Sequence, residues 1–202
     1  MQYFTENLGA LAGMVSFAAY LMYIVSTLRG KTKPSRSTWW ILTLVGSLIF
    51  LTSYTSGARE SMWIMASYVI GPLIISITSL HPRYGYGEKL LPVDIVCLLW
   101  ALLCAIIWLV FNSPIIAFLG SIILDAVGLI PTARKAYLEP DKEDAFAWSI
   151  EMVASIMNAL GITIWFVSSN LTWIYALYLL LGNGTILTLL VYKSLKVKLA
   201  TK

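Results

Sequence analysis

Two carboxylates, Asp125 and Glu151, stand inside long apolar stretches of this 202-residue chain. A polar group in hydrocarbon is costly, and it normally faces a bundle interior or a water-filled cavity. At 1.5 Å per helical residue, Asp125 lies about 16 Å into its apolar stretch, Asn183 about 18 Å and Asn158 about 20 Å. Three polar side chains from consecutive stretches therefore reach similar depth, where a solute site is expected. Asp125 is suited to pairing with a cation or to carrying a proton; Asn158 and Asn183 are suited to binding a solute. Trp148, Glu151, Ser155 and Asn158 recur at helical spacing and share one stripe. Ser16, Tyr20 and Tyr23 form a second stripe, and Asp125, Gly128 and Thr132 a third, with Pro131 beside it. Trp148 and Trp165 offer ring faces for stacking on a solute. Each group also has a plainer use. The tyrosines, Ser16 and the asparagines serve equally as hydrogen-bonding glue between helices. Glu151, about 9 Å from its helix end, could snorkel to the interface and pair with Arg134 or Lys135.

Other chemistries find little support. His81 is the sole histidine, so neither a metal cluster nor a Ser/His/Asp arrangement has the side chains it needs. A retinal Schiff base needs a lysine midway along the last helix, and the first lysine there is Lys193, at its end. Cys97 and Cys104, seven residues apart on one helix, lie about 10 Å apart, too far to bridge. Nucleic-acid motifs, cofactor motifs and a cleavable leader are not read from the sequence.

The elements that must hold these groups follow from composition. The chain is 59% hydrophobic and 12% charged, about half the charge of a water-soluble protein. Seven apolar runs match the roughly 20 residues that cross a bilayer as a helix. They are Leu8–Leu28, Trp39–Ser56, Ser61–Leu80, Leu91–Phe111, Pro114–Ala133, Ala145–Ser168 and Leu171–Tyr192. Of the 14 Lys and Arg residues, all but Arg59 fall in alternate loops on one side. The positive-inside rule makes that side cytoplasmic. The expectation is an integral, multi-pass protein of the plasma or inner membrane, N-terminus out and C-terminus in. The basic tail from Lys193 then meets anionic lipid at the inner leaflet. The acidic-basic run Glu139–Asp144 reads as a solvated loop, and Trp39, Trp40 and Trp173 read as interface anchors.

An internal repeat organises the spans. Arg29, Trp40 and Gly71 recur as Arg134, Trp148 and Gly182, at separations of 105, 108 and 111 residues. Tyr20 then occupies the repeat position of Asp125, and Pro72 that of Asn183. Residues 1–90 form one three-helix unit and 113–202 a second of the same orientation. An odd connecting helix, 91–112, is needed between them, giving a 3 + 1 + 3 arrangement of parallel repeats. Pro131, which interrupts helical hydrogen bonding, and Pro72 are candidate hinges.

In the second repeat the chain carries Leu129-Ile130-Pro131-Thr132-Ala133-Arg134-Lys135, then Trp148-Ser149, Asn158-Ala159 and Gly182-Asn183-Gly184. This pattern resembles the SWEET and PQ-loop superfamily of small seven-helix transporters. The likeness covers the whole chain in topology and about half of it in motifs. A threonine follows Pro131 where the PQ dipeptide has glutamine, and a glycine precedes Asn183 where the family has proline. The resemblance implies alternating access around a midplane cavity, with Asn183 in the place of a substrate-contacting asparagine. It implies a small polar solute such as a sugar, a vitamin or an amino acid, moved passively or coupled to protons through Asp125 and Glu151. It does not imply an enzyme. The alternative with the same fold is a receptor or assembly protein that binds without transporting. Homo-oligomer formation is left open.

Overall fold

Hydrocarbon offers backbone groups no hydrogen-bond partner, so apolar runs of bilayer length must coil on themselves. The computed structural model is all-α, with no strand among its described residues. These are residues 2–55, 62–85, 114–165 and 170–200, with further helical positions between 95 and 110. Side chains at 2–7, 114, 117, 162–172 and 193–200 lie outside the description. The elements are α1 (Gln2–Leu28), α2 (Arg36–Thr55), α3 (Met62–Ser79), α4 (Pro114–Gly128), α5 (Ile130–Leu138), α6 (Ala145–Trp165) and α7 (Asn170–Ala200). A single 3₁₀ turn, Pro140–Lys142, precedes α6.

Among the described residues, four helical segments are long and apolar enough to cross a membrane: Leu8–Leu28, Arg36–Thr55, Met62–Ser79 and Trp173–Tyr192. A shorter apolar helix covers Ala145–Gly161. The expected span Leu91–Phe111 falls largely outside the described residues. The distribution of polarity is inverted relative to a water-soluble protein. Leu11, Met14, Trp63, Ile77, Leu177 and Leu181 are exposed, while Ser16, Ser67, Ser76, Asp125 and Glu151 are buried. A greasy exterior around a polar interior is what a bilayer as solvent selects.

Local chemistry sets the helix ends. Gly30 adopts φ +74° just beyond α1, a left-handed conformation that glycine enters without a side-chain clash. Asp144 Oδ1 accepts hydrogen bonds from the amides of Phe146 (3.1 Å) and Ala147 (3.0 Å), capping α6. Arg36 Nε donates to the carbonyl of Ser79 at 2.7 Å, placing a cation at the negative end of α3. The run expected as one helix over Pro114–Ala133 is divided into α4 and α5 at Leu129. Pro131 has no amide hydrogen to donate back along the helix, and the division lies two residues before it.

Packing follows a pattern. Helix α3 packs on both α1 and α2, and α7 packs on α6, α5 and α4. The first set meets the second where α1 packs on α6 and α2 packs on α4. Small residues permit these approaches: at Gly46 of α2 an added Cβ would run into the carbonyl of Tyr68 on α3. Hydroxyls join the same helices. Thr43 and Ser76 lie 3.1 Å apart across α2 and α3, and Ser67 of α3 donates to Ser16 of α1 at 2.8 Å.

Candidate functional site

A cavity of about 500 Å³, counted out to its open mouth, lies where these helices converge. Each wall traces to a local feature. From α1 come Ala19, Tyr20 and Tyr23, and from α2 Trp39 and Leu42. Tyr68 enters from α3, Asp125 from α4, and Ala147, Trp148 and Glu151 from the first turns of α6. Helix α7 supplies Tyr178, Leu179, Gly182 and Asn183. Gly71 of α3 makes room for one of these walls: a Cβ there would land on the Tyr20 ring.

Glu151 is the centre of a network that ties four helices together. Ser16 Oγ lies 3.0 Å from both of its carboxylate oxygens, and Tyr68 Oη donates to Oε1 at 2.6 Å. Asn183 Nδ2 donates to Tyr68 Oη at 3.0 Å and to Ser155 Oγ at 2.9 Å. Ser155 Oγ in turn donates to the backbone carbonyl of Glu151 at 3.0 Å. Elsewhere in the lining, Asp125 accepts a hydrogen bond from Tyr178. Both carboxylates are buried, at 8% exposure for Asp125 and 5% for Glu151. Each is satisfied by neutral hydroxyls, and neither has an ion-pair partner among the described residues. Unpaired buried carboxylates are functional candidates rather than ordinary packing.

A second polar cluster adjoins the cavity. Glu143 is buried just before α6 and forms an ion pair with Lys135 of α5. Its oxygens also accept from Tyr23 Oη at 3.2 Å and from the Trp148 indole at 3.1 Å. Lys135 donates as well to the carbonyl of Lys33, and the Lys33 amide donates to the carbonyl of Lys142 at 3.2 Å. The loop after α1 is thereby latched to the segment between α5 and α6. Tyr23 and Trp148 belong both to this latch and to the cavity wall. Away from the latch, Val45, Ile49, Ile64, Met65, Phe118 and Tyr175 pack into an apolar core.

Most of the residues expected from sequence meet here, with specific differences. Asn183, Asp125, Tyr20, Trp148 and Glu151 line the cavity, and Ser155 is one hydrogen bond away through Asn183. Asn158 is buried on α6 beyond the lining residues. The side chain of Trp165 lies outside the description. Pro72 is buried within α3, and Pro131 opens α5. Lys135 pairs with Glu143 rather than with Glu151, because Glu143 lies beside it while Glu151 is taken up by Ser16 and Tyr68. The Glu139–Asp144 loop is therefore not wholly solvated. Trp39 is not an interface anchor: it is 3% exposed and packs edge-on to Tyr20 in the cavity wall. Sequence reasoning missed Tyr68 and Tyr178. The available signal was a tyrosine within an apolar span, three residues before Gly71 for Tyr68 and one helical turn before Gly182 for Tyr178.

Comparison with known protein families, curated proteins and solved structures finds no match for this chain. Its function must therefore be argued from the cavity itself.

Proposed function

We propose that this chain is a membrane transporter of a small polar solute, working by alternating access around the cavity, with Asp125 as the proton-coupling group. The observation that carries the proposal is an interior cavity between two sets of helices, holding two buried carboxylates and joined to the Glu143 latch through Tyr23 and Trp148. A purely structural bundle has no need of charge-capable groups in such a place.

Two regularities support a pair of equivalent three-helix units with a connecting helix between them. Exchanging α1 with the α4–α5 segment, α2 with α6, and α3 with α7 maps the main packing pairs onto one another. In particular, α1 on α6 becomes α4 on α2, and both contacts exist. The cavity walls pair at the repeat offsets as well. Tyr20 with Asp125, Trp39 with Ala147, and Tyr68 with Leu179 are 105, 108 and 111 residues apart. A site on a pseudo-two-fold axis is where rocking of one unit on the other opens alternate sides. The break at Leu129 gives the second unit a bending point next to Asp125. The Glu143 latch would part as the cavity opens toward the basic, cytoplasmic end.

The proposal is tested with purified protein in liposomes, screened by counterflow against sugars, vitamins, amino acids and amines. Uptake of at least one solute into protein-containing but not empty vesicles is expected. With that solute, Asp125→Asn should lose the acceleration by an imposed proton gradient. A ligand that stabilises the folded protein yet never crosses would overturn transport in favour of a receptor. An Asp125→Asn variant that kept its full response to the gradient would remove the proton role.

A further inference from the structure

We infer that the solute is a small organic monocation, an amine or quaternary ammonium without a carboxylate of its own. The inference deepens the transport reading above and rests on it only for the claim that the ligand crosses.

Six aromatic side chains, Tyr20, Tyr23, Trp39, Tyr68, Trp148 and Tyr178, border the same space. The Tyr20 ring stands at 79° to Trp39, with centroids 6.2 Å apart, and at 87° to Tyr68, at 5.8 Å. Tyr20 thus stands nearly perpendicular to a ring on each of two neighbouring helices, and the three rings border one space. Ring faces carry negative potential, and aromatic surroundings of this kind hold cations that are too poorly hydrated or too large for point contacts. The carboxylates of Asp125 and Glu151 add negative charge to the same space, from different helices. No Lys, Arg or His is among the described lining residues. The neighbouring Lys135 is engaged by Glu143 and by the carbonyl of Lys33.

Other solute classes fit this chemistry less well. An anion meets two carboxylates and no lining cation. A zwitterionic amino acid brings a carboxylate that would be desolvated without a cationic partner, a heavy cost against buried walls. A sugar needs many free hydrogen-bonding groups, whereas the Asn183 amide, Tyr68 and both carboxylates already bond to one another or to Ser16, Ser155 and Tyr178. A monocation needs none of those bonds to break. It gains from ring faces and from charge that needs no reorientation.

The test compares choline with its uncharged analogue, in which a carbon replaces the nitrogen and shape is kept. Full-length protein in nanodiscs is titrated with each at matched ionic strength, reading tryptophan fluorescence and melting temperature. Choline or tetramethylammonium is expected to bind at least tenfold more tightly than the uncharged analogue and to raise the melting temperature. Glu151→Gln and Asp125→Asn should each weaken cation binding by tenfold or more. Equal binding of the charged and uncharged analogues, or stabilisation by a sugar and not by the amines, would overturn the cation assignment. That comparison needs only the unaltered protein, so a variant that fails to fold does not blunt it. Flux is read separately in liposomes: a cation that binds but does not cross sinks transport and leaves the ligand class standing.

Discussion

Glu143 and Lys135 show how much a single pair can decide. The two side chains are 0% and 2% exposed, so each charge depends on the other for the solvation that water no longer gives. Removing one partner leaves the other as an uncompensated buried charge, at a cost of about 3–5 kcal/mol. Glu143→Ala should therefore lower the melting temperature sharply, while the double variant Glu143→Leu with Lys135→Met should recover much of the loss. Thermal unfolding of the three proteins checks this. A single variant as stable as the parent would show that the ion pair is not formed. Glu143→Gln is the milder probe: it keeps the shape and one of the two acceptor oxygens that Tyr23 and Trp148 use, but loses the charge. At this scale the sequence was only partly legible. Asp125 and Glu151 stood out because a carboxylate in an apolar run is rare, and both line the cavity. Glu143 did not stand out, because in a loop full of charges nothing local distinguishes a buried carboxylate from a solvated one. Only the return of the segment onto Tyr23 and Lys33 makes that difference.

Among the elements, the approach of α2 to α3 places a tight requirement on sequence. Gly46 leaves no room for a methyl group against the Tyr68 carbonyl, and a backbone atom cannot swing aside as a side-chain end would. Gly46→Ala should cost about 1–3 kcal/mol through overpacking. It should also displace Tyr68, weakening its bond to Glu151. Circular dichroism melts measure the first effect and cation titration the second. Normal stability in both assays would mean that α2 and α3 are not packed this closely. Helix positions were readable because apolar runs of bilayer length leave the backbone no other choice. Helix boundaries were less so. The division at Leu129 was expected as a kink near Pro131, but the sequence alone did not reveal that the helix would end and restart. Nor did Trp39 at the start of α2 announce an inward orientation, since an indole at a helix end suits the interface equally well.

For the whole molecule, the polar interior and apolar exterior point to a bilayer, and the convergence of two helix sets makes the cavity a junction rather than a surface cleft. Composition and the segregation of Lys and Arg made the membrane class legible. The proposed repeat was read from Arg29, Trp40, Gly71 and their partners, and Tyr20 and Asp125, paired by it, line one cavity. The solute was not legible, because recognition depends on ring planes and on which polar atoms are already engaged. Those are properties of packing, and spacing does not carry them. The account predicts that the cavity is reached from each side in turn. Its most direct test places a lone cysteine at Ala19→Cys, midway along α1 in the cavity wall, with Cys97 and Cys104 replaced by serine. A membrane-impermeant thiol reagent is then applied to sealed vesicles of either orientation. Labelling from both faces, slowed by a bound cation, is the predicted result; labelling from one face only, under every condition, would contradict alternating access.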